Sequence, residues 1–343
     1  MIHKNIIKVL GCGALNLDII FEVQDLEKIR EHGWPLYPGR EIAGTHEEAE
    51  RLIALLKEKG RLLAKSGGGS AANTISALSA LGHECYFLGT VGNDSQGEEV
   101  LNSMEGIDTS FIEKEGRTAT CIVVLEKKSR DRAMFVAPAS FLPEKCLEKA
   151  LEAISMFDLL HFSSLVREDG VAFQTRLAEK QAPNQLVSLD PGELYASKGL
   201  PQLRPLLAET SLLMITSVEV ELLTGLALKT GIPLILAQML KKMADAALFN
   251  ALNEAGGALL VCKKGSEGAC ALGLNNIKKC QPAEKIEKII DNTGAGDAFA
   301  AGFIDGMAQG KELQACLESA ISLAAISLTD FGRKYLSSLK CGK

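Results

Sequence analysis

Residues 291–303 read DNTGAGDAFAAGF. Gly294, Ala295 and Gly296 form a turn into a helix-forming run that continues through AFAAGFIDGM. Their small side chains leave backbone N–H groups unobstructed at a helix N-terminus, and the helix dipole adds to the attraction for an anion. Asp297 follows directly. A carboxylate in a first helical turn is ordinary and stabilises by about 0.3–1 kcal/mol. The glycines on either side cost backbone entropy, however, which a cap alone does not require. A chemical use fits the whole set: bare N–H groups neutralise charge on a phosphoryl group in transfer, while the adjacent carboxylate takes the proton of the attacking hydroxyl.

Two earlier stretches complement this one. SGGGSAANTISALSALG (66–82) places three glycines before a helix whose first turn carries Asn73. One reading is a flexible loop with Ser70 as helix cap. The other is that Gly68 and Gly69 let a polar ligand lie against bare backbone while Asn73 offers a donor and an acceptor to a hydroxyl. GALNLDII (13–20) alternates Asn16 and Asp18 along an extended segment, so both point to one face. An amide beside an acceptor-only carboxylate suits a polyhydroxylated ligand, although a solvated strand end would look the same. GCGALN lacks the third glycine of a dinucleotide fingerprint. The chain has no G-x-x-x-x-G-K-[ST] loop and no protein-kinase H-R-D or D-F-G set.

Around these stretches, apolar runs at 6–14, 85–92, 120–126, 158–164, 186–191, 212–217 and 258–265 read as short buried strands. Helical spacing separates many of them, at 46–60, 71–82, 143–156, 174–181, 236–257 and 313–328. Alternating strands and helices imply a mostly parallel sheet covered on both faces, with ligands at the C-terminal strand ends. Residues 14–45 and 112–137 break the rhythm and suggest a small antiparallel accessory sheet, within one domain spanning 1–343. With 47% hydrophobic and 23% charged residues the chain is ordinarily globular, and a net charge of −6 argues against a nucleic-acid partner. No stretch approaches the roughly 20 apolar residues of a membrane helix. Nine scattered cysteines without a C-x-x-C pair predict reduced thiols and a cytoplasmic location, and the five histidines form no zinc cluster.

Taken together, GGGSAAN and DNTGAGDAFAAGF, in that order, resemble the signatures of the PfkB family of carbohydrate kinases, the ribokinase-like enzymes. The resemblance runs over nearly the whole chain. It implies a three-layer α/β/α sandwich with a central mostly parallel sheet and a small β-sheet lid. It also implies ATP- and Mg2+-dependent phosphorylation of a sugar or nucleoside hydroxyl, usually a CH2OH. By position, Asp297 is similar to the catalytic base and Gly294, Ala295 and Gly296 to the anion hole. Asn16, Asp18, Gly68, Gly69 and Asn73 match contacts to substrate hydroxyls. In GTVGNDSQGE (89–98), Asp94 and Gly97 match structural positions, and Asp190 in VSLDPG matches a strand end facing the cleft.

Two departures stand out. ITSVEVELLTG (215–225) has Thr216 where the family carries Asn, with Glu219 still placed to organise magnesium-bound water. KKGSEG (263–268) has Lys263 where the family carries Thr; Gly265 and Gly268 keep the nucleotide-binding pattern, and Lys263 either reaches a phosphate or is a solvated surface residue. Asp291 and Thr293 match positions near a potassium ion in many relatives, and Arg132 matches a lid arginine near substrate or phosphate.

The acceptor is expected to be a small sugar, with a nucleoside as the alternative. The insert containing the 46–60 helix is more like the adenosine-kinase branch. A nucleobase wants a stacking surface, yet aromatics make up only 5% of the chain, and Phe135, Phe141 and Tyr37 are the candidates. A non-catalytic sugar- or nucleotide-binding protein on the same scaffold is a third expectation, opposed by the intact GAGD. The oligomer is expected to be a monomer or a homodimer, since the insert could cover the lid edge.

Overall fold

A computed structural model describes residues 5–129, 131–139, 144–239 and 249–340. Fourteen strands alternate with helices among these residues: β1 (Lys8–Cys12), β2 (Asn16–Val23), β3 (Glu41–Ala43), β4 (Gly60–Gly68), β5 (Glu84–Val91), β6 (Ile107–Lys114), β7 (Ala119–Glu126), β8 (Arg132–Ala137), β9 (Leu159–Ser163), β10 (Leu186–Asp190), β11 (Leu212–Thr216), β12 (Leu259–Lys263), β13 (Ala269–Gly273) and β14 (Lys278–Gln281).

The larger sheet has the order β14-β13-β12-β11-β10-β9-β1-β5-β6. Its strands from β12 to β6 run parallel, and β13 and β14 turn back antiparallel at one edge. Strands β9 and β10 are buried at every position, as helix-covered parallel strands must be. Two apolar clusters flank the sheet. One joins Val9, Phe87, Leu159 and Val261 to the helices Ser70–Ala80 and Ala295–Ala308; the other joins Leu10, Leu160, Val187 and Leu213 to Leu177, Leu203 and Val220. This is the α/β/α sandwich expected from the strand–helix rhythm.

The smaller sheet has the order β3-β8-β7-β2-β4, and it is mixed rather than antiparallel: β2 runs parallel to β7 and β3 to β8, because long connections and not hairpins join these pairs, while β2–β4 and β7–β8 are antiparallel. Its far face is sealed by the helix His46–Lys59, whose Ala49, Leu52 and Leu56 pack with Leu17, Ile19, Ile122, Val124 and Phe135. That helix covers a face of the sheet, not an edge. The sheet also differs from its expected extent. Gly60–Gly68 joins it as β4, whereas Ile107–Lys114 belongs to the larger sheet as β6. Of the expected helix at 236–257, residues 240–248 lie outside the described residues, and Asn250–Glu254 is helical.

The expectation of uniformly reduced thiols is corrected. Cys270 and Cys280 stand directly opposite on β13 and β14 and form a disulfide. Hairpin register creates this pair, so no short cysteine motif announces it. Cys12, Cys85, Cys121, Cys146, Cys262 and Cys316 are free and buried. Among the described residues no helix is long and apolar enough to cross a membrane.

Candidate active site

Strand pleating places the site. Successive strand residues face opposite sides, so Asn16 and Asp18 of β2, Cys121 and Val123 of β7, and Arg132, Met134 and Val136 of β8 share the face turned toward the larger sheet. They line a cavity of about 500 Å³ together with Glu41 of β3. The opposite wall comes from the C-terminal ends of the larger sheet's strands: Ser163 ends β9, Asp190 ends β10, Thr216 ends β11 and Lys263 ends β12. Two helix N-termini close the floor, carrying Gly69, Ser70 and Asn73 from one and Gly294, Gly296 and Asp297 from the other.

Gly294 takes the left-handed conformation (φ 78°) that glycine adopts at little cost, and the helix Ala295–Ala308 starts behind it. Asp297 is the third helical residue, a position from which a carboxylate could reach back to its own helix start. It does not. Its Oδ1 accepts from the Ser70 hydroxyl at 2.7 Å and its Oδ2 from the Asn73 amide at 2.8 Å. Burial pushes the Asp297 carboxyl above its ordinary range, and these two hydrogen bonds pull against the shift. Ser70 therefore does not cap its helix: Gly69 holds that position at φ 102°, without a side-chain cap bond. Asn73 Oδ1 in turn accepts from Arg333 Nε at 2.8 Å. Arg333, Ser70 and Glu41 escaped the sequence reading of the site. Arg333 lies 260 residues from Asn73 and carries no local motif.

Asn16 donates its amide N–H to Asp18 Oδ1 at 3.1 Å, and Asn16 Oδ1 is buried without a partner. Burial raises the Asp18 carboxyl to about 6. The glycines beside it serve the protein's own packing. A Cβ on Gly68 would come within 2.1–2.3 Å of the Asp18 carboxyl atoms, and one on Gly69 within 2.0 Å of the Ala14 carbonyl oxygen. Gly69 lines the cavity; Gly68 backs Asp18 from outside it.

On the opposite side Lys263 is paired with Asp190, their side chains 13% and 6% exposed, so a solvated lysine is ruled out. Burial opposes the Lys263 ammonium, but Asp190 and Glu219 outweigh it and raise the group above its ordinary value. Thr216 and Glu219 form a reciprocal capping box: Thr216 N–H donates to Glu219 Oε2 at 2.9 Å and Glu219 N–H to Thr216 Oγ1 at 3.2 Å. Burial raises the Glu219 carboxyl as well. Gly265 lines the cavity at φ 57°, whereas Gly268 is packed against β14, where a Cβ would meet Gln281 O at 2.0 Å. Asp94 caps a helix and binds Gly97 N–H and Thr118, a structural role.

Asp291 is buried and accepts from Thr293 N–H at 2.8 Å and Gly332 N–H at 3.1 Å, while Thr293 Oγ1 is buried without a partner. Arg132 donates to Asn292 Oδ1 at 2.7 Å. Of the aromatic candidates, Phe135 is buried on the far face of the small sheet, Tyr37 is exposed beside Arg30, and Phe141 lies outside the described residues.

The pattern of the pfkB family of carbohydrate kinases matches residues 49–339. The chain belongs to that family. This kinase is 29% identical over 263 residues to an uncharacterized sugar kinase of Archaeoglobus fulgidus, across 75% of this chain and 96% of the other. It is 26% identical over 303 residues to a ribokinase of Arabidopsis thaliana, across 84% and 74%. The crystal structure of an adenosine kinase from Sinorhizobium meliloti superposes with a TM-score of 0.81 over 98% of both chains at 19% identity, a likeness of fold. As a family member the protein is an ATP-dependent kinase, with Mg2+ as the usual cofactor. The carboxylates of Glu219 and Asp190 on the cavity wall suit that ion: carboxylate oxygens are the donors Mg2+ prefers, and it commonly keeps its own waters.

Proposed function

We propose that this kinase phosphorylates the hydroxymethyl group of a small neutral sugar, with Asp297 as general base. The observation that carries the reading is the direction of the Asp297 carboxylate. It leaves its own helix, enters the cavity and is held at both oxygens by Ser70 and Asn73. Asp18 and Asn16 would receive the sugar hydroxyls. The nucleotide would lie along Thr216, Val218, Lys263 and Gly265, with its terminal phosphate toward the N–H groups of Gly294, Ala295 and Gly296. Magnesium near Glu219 would supply neutralising charge between phosphates. Lys263 would carry a second positive charge to the same place. A monovalent cation beside Asp291 is part of the proposal, with Thr293 Oγ1 as a ready oxygen.

A sugar is favoured over a nucleoside by the cavity wall. Its apolar strip is Cys121, Val123, Met134, Val136 and Val166, and no aromatic ring lines it among the described residues. A base would have aliphatic contact there but no ring to stack on.

Asp297→Asn keeps the shape and removes the proton acceptor. General-base catalysis contributes about 10²–10⁴-fold, so turnover should fall by that factor while ATP affinity, measured by titration calorimetry, stays within a few-fold. Turnover within tenfold of the parent, in a folded variant, would end the role of Asp297 as base.

A further inference from the structure

One carboxylate in the cavity has no task in the phosphotransfer proposed above. Glu41 sits on the edge strand β3, in register with Met134, and shares the cavity-facing side with Arg132, Met134 and Val136. Its backbone N–H donates to Glu193 Oε2 at 3.3 Å, but its own carboxylate has no hydrogen-bond partner among the described residues. The neighbouring ionic groups are already committed. Glu193 pairs with Arg40 at 2.7 Å, Arg132 donates to Asn292, and Lys263 pairs with Asp190. Arg132 Nε is buried without a partner and closed off from the cavity.

The lining holds the carboxylates of Asp18, Glu41, Asp190, Glu193, Glu219 and Asp297 against two cations, Arg132 and Lys263. Lys263 lies with the nucleotide-side carboxylates. The acceptor end therefore turns Asp18 and Glu41 into the cavity, while the charge of Arg333 reaches Asp18 from outside the lining and Arg132 is committed to Asn292. Burial, then the charges of Glu193 and Glu219, hold the Glu41 carboxyl up at about 7, with Arg132 opposing and Asp18 adding to the shift. A carboxylate kept in such surroundings is stabilised by a hydrogen-bond donor and destabilised by an anion.

We propose that Glu41 is a specificity determinant for the acceptor: it accepts a hydrogen bond from a hydroxyl or amino group of a neutral, polyhydroxylated molecule and, with Asp18, rejects acceptors bearing a phosphate or carboxylate. The inference rests on the assignment of this cavity as the acceptor site. It gives that site a charge rule that the base and the anion hole do not supply.

Equilibrium binding tests it independently of turnover. The full chain, loaded with Mg-ADP, is titrated calorimetrically with D-ribose, D-fructose and adenosine, and with fructose 6-phosphate and gluconate. At least one neutral compound should bind at least tenfold more tightly than either anion. Glu41→Ala should weaken the best neutral ligand about ten- to a hundredfold, the span of a hydrogen bond to a charged group. Glu41→Gln keeps the shape and loses the charge, and should narrow the gap to fructose 6-phosphate. In steady state the Glu41→Ala loss should fall on the acceptor KM, with kcat within about threefold. Preference of the parent for an anionic compound, no binding by any neutral one, or an unchanged affinity in a folded Glu41→Ala protein would each overturn the proposal. Loss of turnover in Asp297→Asn with these affinities unchanged would leave both conclusions standing. An active Asp297→Asn protein with a Glu41-dependent Kd would remove only the role of the base.

Discussion

Replacing Lys263 by Met should destabilise the protein far more than replacing its partner. The Lys263 ammonium lies among three carboxylates, Asp190, Glu219 and Asp297. Removing one partner of a buried ion pair costs about 3–5 kcal/mol, because the remaining charge is left uncompensated. Lys263→Met leaves Asp190, Glu219 and Asp297 buried with no cation between them, which puts it at the upper part of that range. Asp190→Asn leaves Lys263 facing Glu219 and Asp297, so the loss is nearer one charged hydrogen bond, about 1.5–3 kcal/mol. The double variant should cost less than the sum, since the two side chains touch. The pH dependence has a definite sign. Burial already raises the Glu219 and Asp297 carboxyls, and without the cation they titrate further above the roughly 3.9–4.3 of an unfolded chain. The folded state then binds more protons than the unfolded state, and stability falls as pH rises. The Lys263→Met deficit should therefore be larger at pH 8 than at pH 5. Urea unfolding followed by Trp34, the chain's one tryptophan, measures both. A deficit under about 1 kcal/mol, or one that grows on acidification, would refute this account of the charge cluster.

Gly68→Ala would place a methyl group 2.1–2.3 Å from the Asp18 carboxyl atoms, so Asp18 must move. The acceptor KM should rise at least about tenfold with the ATP KM unchanged, whereas Gly268→Ala, which meets Gln281 O at 2.0 Å, should lower the melting temperature and spare the acceptor KM; steady-state kinetics and thermal melts separate the two. Arg333→Met should free the Asn73 amide to rotate and remove a nearby positive charge from Asp297. The acid limb of kcat/KM should move to higher pH with roughly a tenfold loss of kcat, partly restored in Arg333→Lys; an unmoved pH profile would confine Arg333 to packing.

The central strands were legible because burial on both faces writes itself as short apolar runs, as in LLHFS and LVSLD. β4 was not. Its sequence GRLLAKSGG carries charge and glycine, and most of its residues are half-buried or exposed. It becomes a strand because β2 supplies the pairing partner from Asn16↔Gly68 to Val23↔Gly60. β6 could not be assigned to a sheet by any local signal, since pairing with β5 alone decides it. The same division holds in the site. Asp297, Asn16 and Asp18 could be picked out because each sits in a motif of its own. Ser70 was read as a helix cap and Asn73 as a contact to substrate hydroxyls; their bonds to Asp297 could not be read, since they run 227 and 224 residues along the chain. Lys263 was ambiguous until Asp190 stood beside it. Gly68 and Gly69 were noticed for their economy of space: the Asp18 carboxyl fills the room beside Gly68, while Gly69 lines the cavity.

The two glycine-rich stretches, more than two hundred residues apart, share one physical cause. Each opens a helix, and the two helices must approach closely enough for Ser70 and Asn73 on one to hold Asp297 on the other. The alanines that follow allow this: Ala71 and Ala72 are fully buried, as are Ala298, Ala300 and Ala301. Thr74 Oγ1 also donates to the Asp297 backbone carbonyl at 3.3 Å. Two N-termini converging on one point concentrate positive dipole ends there. That field favours a carboxylate and an incoming phosphate alike, while burial disfavours the ionised carboxylate. Asp297 lies between these pressures, raised by burial and lowered by its two donors. A base must be ionised to accept a proton and basic enough to keep it through the transition state. Lengthening either helix start by a larger side chain would separate the termini and disturb both conditions together. In the proposed role of Asp297 as base, the small residues are therefore as much a requirement of the chemistry as Asp297 itself.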